Sequence, residues 1–382
     1  MTDYLFIEPL DVLYLRGNRL FGEAGDHGEG LMPPWPSLAA GAIRSRMLAD
    51  DGDVDLAAFA GNKVTPDGPL GKCLGTPAQP GSFRICMFTL GRKDDGKVNP
   101  FLPQSADIVV RQDGVDYLRP GQLHASLAIG ADLPLLPVLR QEKPEKPFAG
   151  RWLNRAGLTA YLRGEPLAEN HLVGLDTLWK DDHRLGIAMD PCSRTAEEGR
   201  IYTTETVALK KEVGFLAGVD GAAGCLPKGG LLRFGGDGRG AVVSHCRPDF
   251  PETPWQRIAD EKRFRVVLLS PGLFPDGWRL PGLRDENGTY VWRGDTFTAR
   301  LVAASVNRVE VVSGWDLARH APKPAMRVAP SGSVYWLDGL EGEVAGLQRL
   351  VQNGLWPLLE KPDLARRSEG FNNILIAAWP RN

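Results

Sequence analysis

A glycine-rich loop flanked by arginines is the stretch of this sequence best suited to contact a phosphate group. The residues concerned are Arg233, Gly235, Gly236, Gly238, Arg239 and Gly240. Glycine tolerates positive φ angles and close backbone approach, so successive amides can point at a phosphate while the arginines add charge. The simpler interpretation is a sharp turn that leads into the apolar strand after Gly240.

The spacing within this loop argues against dinucleotide binding and nucleotide hydrolysis. The dinucleotide fingerprint needs GxGxxG followed by a helix, whereas GGDGRG at 235–240 leads into the strand-like run 241–243. A loop of the NTPase type would close with Gly-Lys-Ser/Thr, which is missing here. Contact with a phosphate backbone is the chemistry that remains.

A second cationic group follows the first predicted strand. Arg16, Asn18 and Arg19 lie where that strand gives way to a loop, from which their side chains can meet a backbone phosphate. Arg44 lies on the helix that comes next. The alternative is that Arg19 is solvated and that Arg44 makes an ion pair within the protein.

His27 lies in the sequence among three carboxylates, Glu23, Asp26 and Glu29, and a solvated loop explains that cluster more simply than a metal site. The 6 histidines lie apart, without HxH or HxxxH spacing, and no GxSxG or HExxH motif occurs. The sequence therefore predicts no metal, no other cofactor and no catalytic residue. Phe234 and Phe371, beside glycine turns, are the aromatic side chains that we would test for base stacking.

Composition limits the class of protein. The 382 residues are 43% hydrophobic and 24% charged, as in a globular protein with a sizeable core. Five scattered cysteines without CxxC spacing predict reduced thiols in a cytoplasmic protein. Neither a leader peptide nor an apolar run of about 18 residues is found, so no membrane partner is expected. The formal net charge of -2 means that any RNA-binding surface has to be local.

Hydrophobic periodicity predicts the elements that hold these residues in the first half. We expect a strand over 4–14, a helix from Ser37, a strand over 83–90, a helix over 153–162, and a pair of strands over 201–209 and 213–219. In the second half we expect strands over 264–270, 296–312, 333–337 and 374–379, with a helix over 347–359.

Each half begins with an apolar strand and ends with a glycine turn that leads into a last apolar strand. This repetition fits an α+β fold of two ferredoxin-like modules, RRM-like with βαββαβ order, whose last strand is central and apolar on both faces. The predicted modules are 1–248 and 249–382, divided in a proline-rich segment. The first module would carry large loop insertions at about 51–80 and 130–170.

Several segments resemble subunit three of the type III-B CRISPR Cmr effector complex, a member of the repeat-associated mysterious protein (RAMP) superfamily. The matching segments are 5–13, 16–19, 33–44, 314–317, 323–325, 330–336 and 369–373. The resemblance implies ferredoxin-like modules with Gly-rich loops, and no nuclease activity in this subunit. It also implies a role in capping the 5′ repeat-derived handle of the CRISPR RNA (crRNA), docked against the large polymerase-like subunit and the backbone filament subunit.

Carried over by position, 235–240 resembles the Gly-rich loop of that family, and 16–19 with Arg44 resemble part of its RNA-facing surface. The turn 369–373 departs from the pattern, since it has one glycine and an acidic residue, which argues against RNA contact there.

The leading hypothesis is therefore a non-catalytic, handle-binding subunit of an antiviral complex. The alternative is a metal-independent endoribonuclease that processes precursor CRISPR RNA, with His27 as general base. A third possibility is a scaffold that bridges proteins and never touches RNA.

Overall fold

A computed structural model of the chain describes residues 2–15, 17, 27–28, 30–122, 132–139, 145–190, 192–316 and 321–381. Two large antiparallel sheets with helices packed against them form the framework. The predicted α+β class is confirmed.

The helices are mostly short. They are α1 Ser37–Asp51, α2 Leu56–Ala60, α3 Gly68–Leu74, α4 Arg155–Arg163, α5 Trp255–Glu261, α6 Val344–Asn353 and α7 Leu364–Ser368. Single 3₁₀ turns occur at Glu169–His171, Leu175–Thr177, Gly236–Gly238 and Trp356–Leu358. Across the described ranges, no helix has the length and apolar character that crossing a membrane requires.

An eight-stranded sheet dominates the first half of the chain. The strands of this half are β1 Asp3–Pro9, β2 His27–Gly28, β3 Arg84–Asp94, β4 Lys97–Pro103, β5 Ile108–Arg111, β6 Gly114–Tyr117, β7 Arg119–Gly121, β8 Leu136–Val138, β9 Arg151–Leu153, β10 Leu172–Gly174, β11 Trp179–Met189, β12 Ala196–Leu209, β13 Val213–Asp220, β14 Gly230–Arg233 and β15 Gly240–His245. The large sheet has the order β10-β9-β4-β3-β13-β1-β15-β14.

A six-stranded sheet dominates the second half. Its strands, with the short pairs beside it, are β16 Phe264–Leu268, β17 Leu283–Glu286, β18 Thr289–Arg293, β19 Phe297–Ser305, β20 Glu310–Val312, β21 Trp315–Asp316, β22 Ala321–Pro322, β23 Met326–Val328, β24 Val334–Gly342 and β25 Ile374–Ala378. The order in the sheet is β17-β18-β19-β24-β16-β25.

The two halves share one order of strand pairing. In the first, β1 lies between β13 and β15, and β3 follows beyond β13. In the second, β16 lies between β24 and β25, and β19 follows beyond β24. An α-helix follows β1 and another precedes β25, but β13 to β15 and β16 to β19 are joined without one, through segments that the structure describes in full. That the halves are ferredoxin-like modules stays a prediction.

The apolar run at the N-terminus is explained by a strand that is buried on both faces. Leu5 and Ile7 of β1 pack into the core cluster that includes Ile43 of α1. Phe6 points to the opposite face and packs against Leu216 of β13. A central strand has no solvent-facing side, so continuous apolar sequence replaces the alternating pattern.

Some predicted elements were wrong in extent or partner. The strands predicted over 201–209 and 213–219 do not pair with each other, because β12 pairs with β11 while β13 enters the large sheet. The first strand ends at Pro9 rather than at 14. The helix predicted over 347–359 ends at Asn353, since Gly354 takes a φ of 69° that stops it.

The second half and the first insertion also differ from expectation. The strand predicted over 296–312 divides into β19 and β20, and β25 is an edge strand, not a central one. Its second face is still buried, because α4 of the first half packs against it. Residues 51–80 contain α2 and α3, which add buried apolar side chains to the core instead of forming a plain loop.

The turn 369–373 joins the two halves. The side-chain amide of Asn373 donates to the carbonyls of Ile85 on β3 at 3.2 Å and of Gly370 at 2.9 Å. Gly370 has a φ of 95°, and a Cβ at this position would lie 2.8 Å from the Cβ of Ile85. Only glycine fits this contact, so the segment that resembles the family motif has a structural role here.

Replacing Gly370 by alanine is expected to destabilise the protein more than replacing Gly224 by alanine. Both glycines have positive φ values, 95° and 79°, so both variants carry similar backbone strain. Nothing lies within 4 Å of a Cβ at Gly224, whereas alanine at Gly370 is forced against Ile85, an overpacking that costs about 1–3 kcal/mol more. Urea unfolding of the two variants measures the difference, and equal losses would contradict the proposed contact.

Candidate functional site

The glycine loop packs against the chain segment that follows β1. The amide of Gly236 donates to the carbonyl of Tyr14 at 2.8 Å. Gly235 and Gly238 have positive φ values of 85° and 64°, as glycine in a tight loop allows. A Cβ on Gly235 would lie 3.0 Å from the same carbonyl of Tyr14. The loop is therefore held close to residue 14, and the amide of Gly236 is occupied by the protein rather than free for a phosphate.

The two ends of the loop lie in the sheet. Gly240 pairs with Arg233 in the β14–β15 ladder, and its carbonyl accepts from the amide of Leu10 at 3.0 Å. The side chain of Arg233 is exposed and makes no hydrogen bond or ion pair with any residue that the structure describes. Its guanidinium is available for a ligand.

Arg239 is positioned by contacts with the segment after β1. Its guanidinium lies over the ring of Tyr14, 5.0 Å from the ring centroid, and Nη1 donates to Oδ2 of Asp11 at 2.9 Å. The side chains of Arg239 and Asp11 are 28% and 58% exposed, so the pair lies at the surface. An exposed pair of this kind contributes little to stability, and a phosphate can compete with Asp11 for the arginine.

Arg16, Asn18 and Arg19 lie outside the described residues, and their RNA contacts stay predictions. The described chain reaches Leu15, one residue after Tyr14, on which Arg239 rests. Residues 10–19 and 233–240 are called the loop face below. Through Tyr14, the structure brings the glycine loop and the segment leading to Arg16 together.

Arg44 is engaged between the two halves. Its Nη2 donates to the hydroxyl of Ser368 at 2.7 Å, and its guanidinium lies 5.0 Å from the ring centroid of Phe83. Burial lowers the pKa of Arg44, and the carboxylate of Glu369 acts in the opposite direction. These contacts are close to the alternative in which Arg44 makes an ion pair within the protein. The group that accepts its hydrogen bond is, however, the hydroxyl of Ser368 and not a carboxylate. RNA contact at Arg44 stays a prediction.

The candidate general base of the alternative hypothesis is only partly described. The backbone of His27 and Gly28 pairs in parallel with Thr203 and Thr204, but the side chain of His27 lies outside the described part of the chain. Where side chains are described, no three His, Cys, Asp or Glu residues are grouped as metal ligands. The role of His27 and the absence of a metal stay predictions.

The two aromatic residues singled out for stacking lie in the core. Phe234 is 1% exposed and its ring centroid is 5.1 Å from that of Phe215. Phe371 is 0% exposed and lies beneath the guanidinium of Arg366. Neither ring can stack on a base without unfolding. Trp315, which is 50% exposed, is the better candidate among the described tryptophans, and only the structure reveals its exposure.

Sequence reasoning also missed a cleft of about 780 Å³ between the two halves, here called the inter-half cleft. Its charged lining consists of Arg84, Asp220 and Arg367. Arg367 lies in the last turn of α7, the helix that precedes the 369–373 turn, and Arg84 begins β3. These residues belong to no motif, and their proximity depends on how the halves pack.

Comparison with known proteins bears on the identity of the chain. The family model described as CRISPR-associated protein (Cas_Cmr3) matches residues 5–379. The chain belongs to this family. The predicted resemblance to subunit three of the Cmr complex is confirmed.

Individual relatives of the Cas_Cmr3 family are distant. The chain is 27% identical over 152 residues to "CRISPR system CMR subunit Cmr3" of Saccharolobus solfataricus. The alignment covers 40% of this chain and 42% of that relative, so less than half of the relative is matched.

Two solved structures of type III-B Cmr-beta bound to cognate target RNA, one of them also with AMPPnP, each have a chain that is 17% identical and 96% covered. The TM-scores are 0.48 and 0.49, with 97% of this chain covered. A chain of a Csm3-Csm4 subcomplex gives a TM-score of 0.35 at 10% identity.

Proposed function

We propose that the chain is a non-catalytic RNA-binding subunit that caps the 5′ repeat-derived handle of the crRNA through the loop face. The observation that carries the proposal is the contact of Arg239 with Tyr14 and of Gly236 with the carbonyl of Tyr14. These contacts bring Arg233 and Arg239 to the segment that continues into Arg16, Asn18 and Arg19. Guanidinium groups that converge on the phosphates of one RNA strand can bind it by hydrogen bonds and charge alone, so this binding needs neither a metal nor a nucleophile.

The sequence suggests that the glycines of the loop point their amides at a phosphate, but in this proposal Gly235, Gly238 and Gly240 shape the loop instead. Gly235 and Gly240 let the loop lie against residues 10–14, because a Cβ would lie 3.0 Å from the carbonyl oxygen of Tyr14 at Gly235 and 3.2 Å from the side chain of Leu10 at Gly240. Gly238 contributes its positive φ of 64° to the turn. The guanidinium groups then supply most of the affinity for phosphate, since the Gly236 amide is already bonded.

The partner proteins of this proposal are the large polymerase-like subunit and the backbone filament subunit, which the chain docks together. A stripe of exposed apolar side chains on β11 supports a protein-binding role. Leu185, Ile187 and Met189 are 70%, 49% and 56% exposed and alternate along one face of the strand. Grouped exposed apolar side chains mark interaction surfaces more often than isolated ones do.

We also propose that 1–248 and 249–382 are ferredoxin-like modules that have each lost one crossover helix. The shared strand order of the two sheets supports this reading. So does the position of an α-helix after β1 in one half and before β25 in the other.

Photo-crosslinking tests handle binding against the protein-bridging scaffold. A guide RNA with 4-thiouridine in its 5′ handle is expected to form adducts with peptides from 10–19 or 233–240 in the reconstituted complex. A guide labelled at its 3′ end serves as the control and is expected to leave these peptides unmodified. Handle adducts confined to other subunits would favour the scaffold.

A cleavage assay tests the non-catalytic part of the proposal. Purified protein is expected to leave a repeat-containing transcript intact, with the His27→Ala variant behaving identically. Cleavage by the unaltered chain that disappears in His27→Ala would instead support the endoribonuclease alternative.

A further inference from the structure

The inter-half cleft holds a cation that has no partner among the residues that the structure describes. The guanidinium of Arg367 lines the cleft, is partly buried, and makes no hydrogen bond or ion pair with the residues that the structure describes. Its backbone is fixed, because its amide donates to the carbonyl of Asp363 at 2.9 Å. Burial lowers the pKa of Arg367, and the positive charge of Arg84 lowers it further. A charged arginine that is partly buried beside another arginine is stabilised when an anion binds next to it.

Arg84 supplies a second, pre-oriented guanidinium in the same cleft. Its Nη2 donates to Oδ2 of Asp220 at 2.7 Å and to the carbonyl of Gln352 at 2.8 Å, so both halves hold it. Asp220 also accepts from the hydroxyl of Thr2 at 2.7 Å. The charged lining is two arginines against one aspartate, which leaves an excess of positive charge.

Arg44 adds to this positive charge, although it does not line the cleft itself but contacts two residues that do. It bonds to Ser368 and lies against Phe83, and both of these residues line the cleft. Glu369, the carboxylate that raises the pKa of Arg44, also accepts from Lys323 at 2.6 Å and Arg366 at 3.0 Å. One carboxylate that three cations share does not neutralise them, so the potential in the cleft stays positive.

The remainder of the lining is suited to a flat, apolar group. Tyr4 and Met87 contribute from the first half, and Leu269, Val351 and Leu364 from the second. Cavities of about 300–1,000 Å³ with a mainly apolar lining and a few convergent polar groups are typical of small-molecule sites. We propose that the inter-half cleft binds a nucleotide through its phosphate, with Arg367 and Arg84 as the phosphate ligands and the apolar wall against the base.

This site is separate from the loop face and does not rest on the proposed function. Thr2 in the cleft and Leu10 in the loop face lie at opposite ends of β1, roughly 25 Å apart at about 3.3 Å per residue. The phosphate can come from a free nucleotide or from an RNA strand that enters the cleft, and both sources offer the same chemistry to the arginines.

Calorimetric titration of the full chain with AMP, adenosine and a six-nucleotide RNA tests the site. AMP is expected to bind saturably and adenosine at least about tenfold more weakly, which is the effect of losing one charge-assisted hydrogen bond or more. If the RNA displaces AMP, the phosphate that the cleft binds comes from an RNA strand. If the RNA does not displace AMP, it comes from a free nucleotide. Failure of AMP to bind would overturn the proposal, whether or not the RNA binds, because the RNA can also bind at the loop face.

Arg367→Gln is the decisive variant, because Arg367 has no partner to lose among the described residues and the fold is expected to persist. Its affinity for AMP is expected to fall at least about tenfold, with Arg367→Lys intermediate. Arg284→Gln, which changes an exposed arginine of β17 outside the cleft, is the matched control and is expected to bind AMP as the unaltered chain does.

Unchanged AMP affinity in Arg367→Gln would overturn the assignment. Charge reversal on the loop face is expected to leave AMP binding intact, which separates this site from the proposed function.

Discussion

Replacing Asp107 by alanine is expected to lower the free energy of unfolding by about 3–5 kcal/mol. Asp107 and Arg265 are both 0% exposed and form an ion pair that joins the first half to the second. Arg265 also donates to the carbonyls of Tyr161 at 2.7 Å and Ala378 at 2.9 Å. Without Asp107, the guanidinium stays buried without its counter-charge, which is the costly outcome.

Tyr161 completes this buried group. Its hydroxyl donates to Oδ1 of Asp107 at 2.9 Å, and its ring centroid lies 4.4 Å from the guanidinium carbon of Arg265. Burial, and then the carboxylate of Asp107, raise the pKa of Tyr161 well above its ordinary value, so the hydroxyl stays protonated and can donate.

Denaturant unfolding with two further variants makes the Asp107 prediction specific. Asp338→Ala removes the partner of Arg300 in a surface ion pair, in which the side chains of Asp338 and Arg300 are 31% and 58% exposed, and is expected to cost about 1 kcal/mol or less. The double variant Asp107→Leu with Arg265→Met is expected to be more stable than Asp107→Ala, because neither charge then stays buried alone. A loss below about 1 kcal/mol for Asp107→Ala would contradict the role assigned to the pair.

Reversing the charge of Arg16, Arg19 and Arg239 together is expected to weaken handle binding by the reconstituted complex at least a hundredfold, on the order of the loss of several charge-assisted contacts. Each substitution removes a guanidinium and places a carboxylate opposite a phosphate. Filter binding of a labelled guide at fixed ionic strength measures the change.

The matched control reverses the same number of charges elsewhere. Arg284, Arg293 and Arg300 are exposed arginines of β17, β18 and β19 in the second sheet. Their triple reversal gives the same net charge and is expected to leave handle affinity within about threefold, since long-range effects between exposed charges are screened by salt. Equal losses in both triple variants would show that net charge, and not the loop face, governs binding.

The sequence predicted those helices and strands that are marked by a hydrophobic or glycine pattern within their own residues. The apolar run of β1, the helix from Ser37 and the last strand of each half follow from periodicity and from glycine turns. The positive φ values at Gly235 and Gly238 follow from the residue type.

The sequence could not predict contacts between distant parts of the chain. Ser368, the partner of Arg44, is 324 residues away, and Ile85, the partner of Asn373, is 288 residues away. Periodicity reports which face of an element is apolar but not which element covers it, so the burial of Phe371 and the edge position of β25 emerge only from the packing. The same limit hid the inter-half cleft, whose arginines come from both halves.

The salt dependence of handle binding tests the loop face most directly. Each phosphate contact to single-stranded RNA adds about 0.7 to the slope of log affinity against log salt. If the side chains of Arg16, Arg19 and Arg239 contact phosphates, the slope for their triple charge reversal is expected to be shallower by about 2 than that of the unaltered complex. The same slope in both complexes would show that these arginines touch no phosphate.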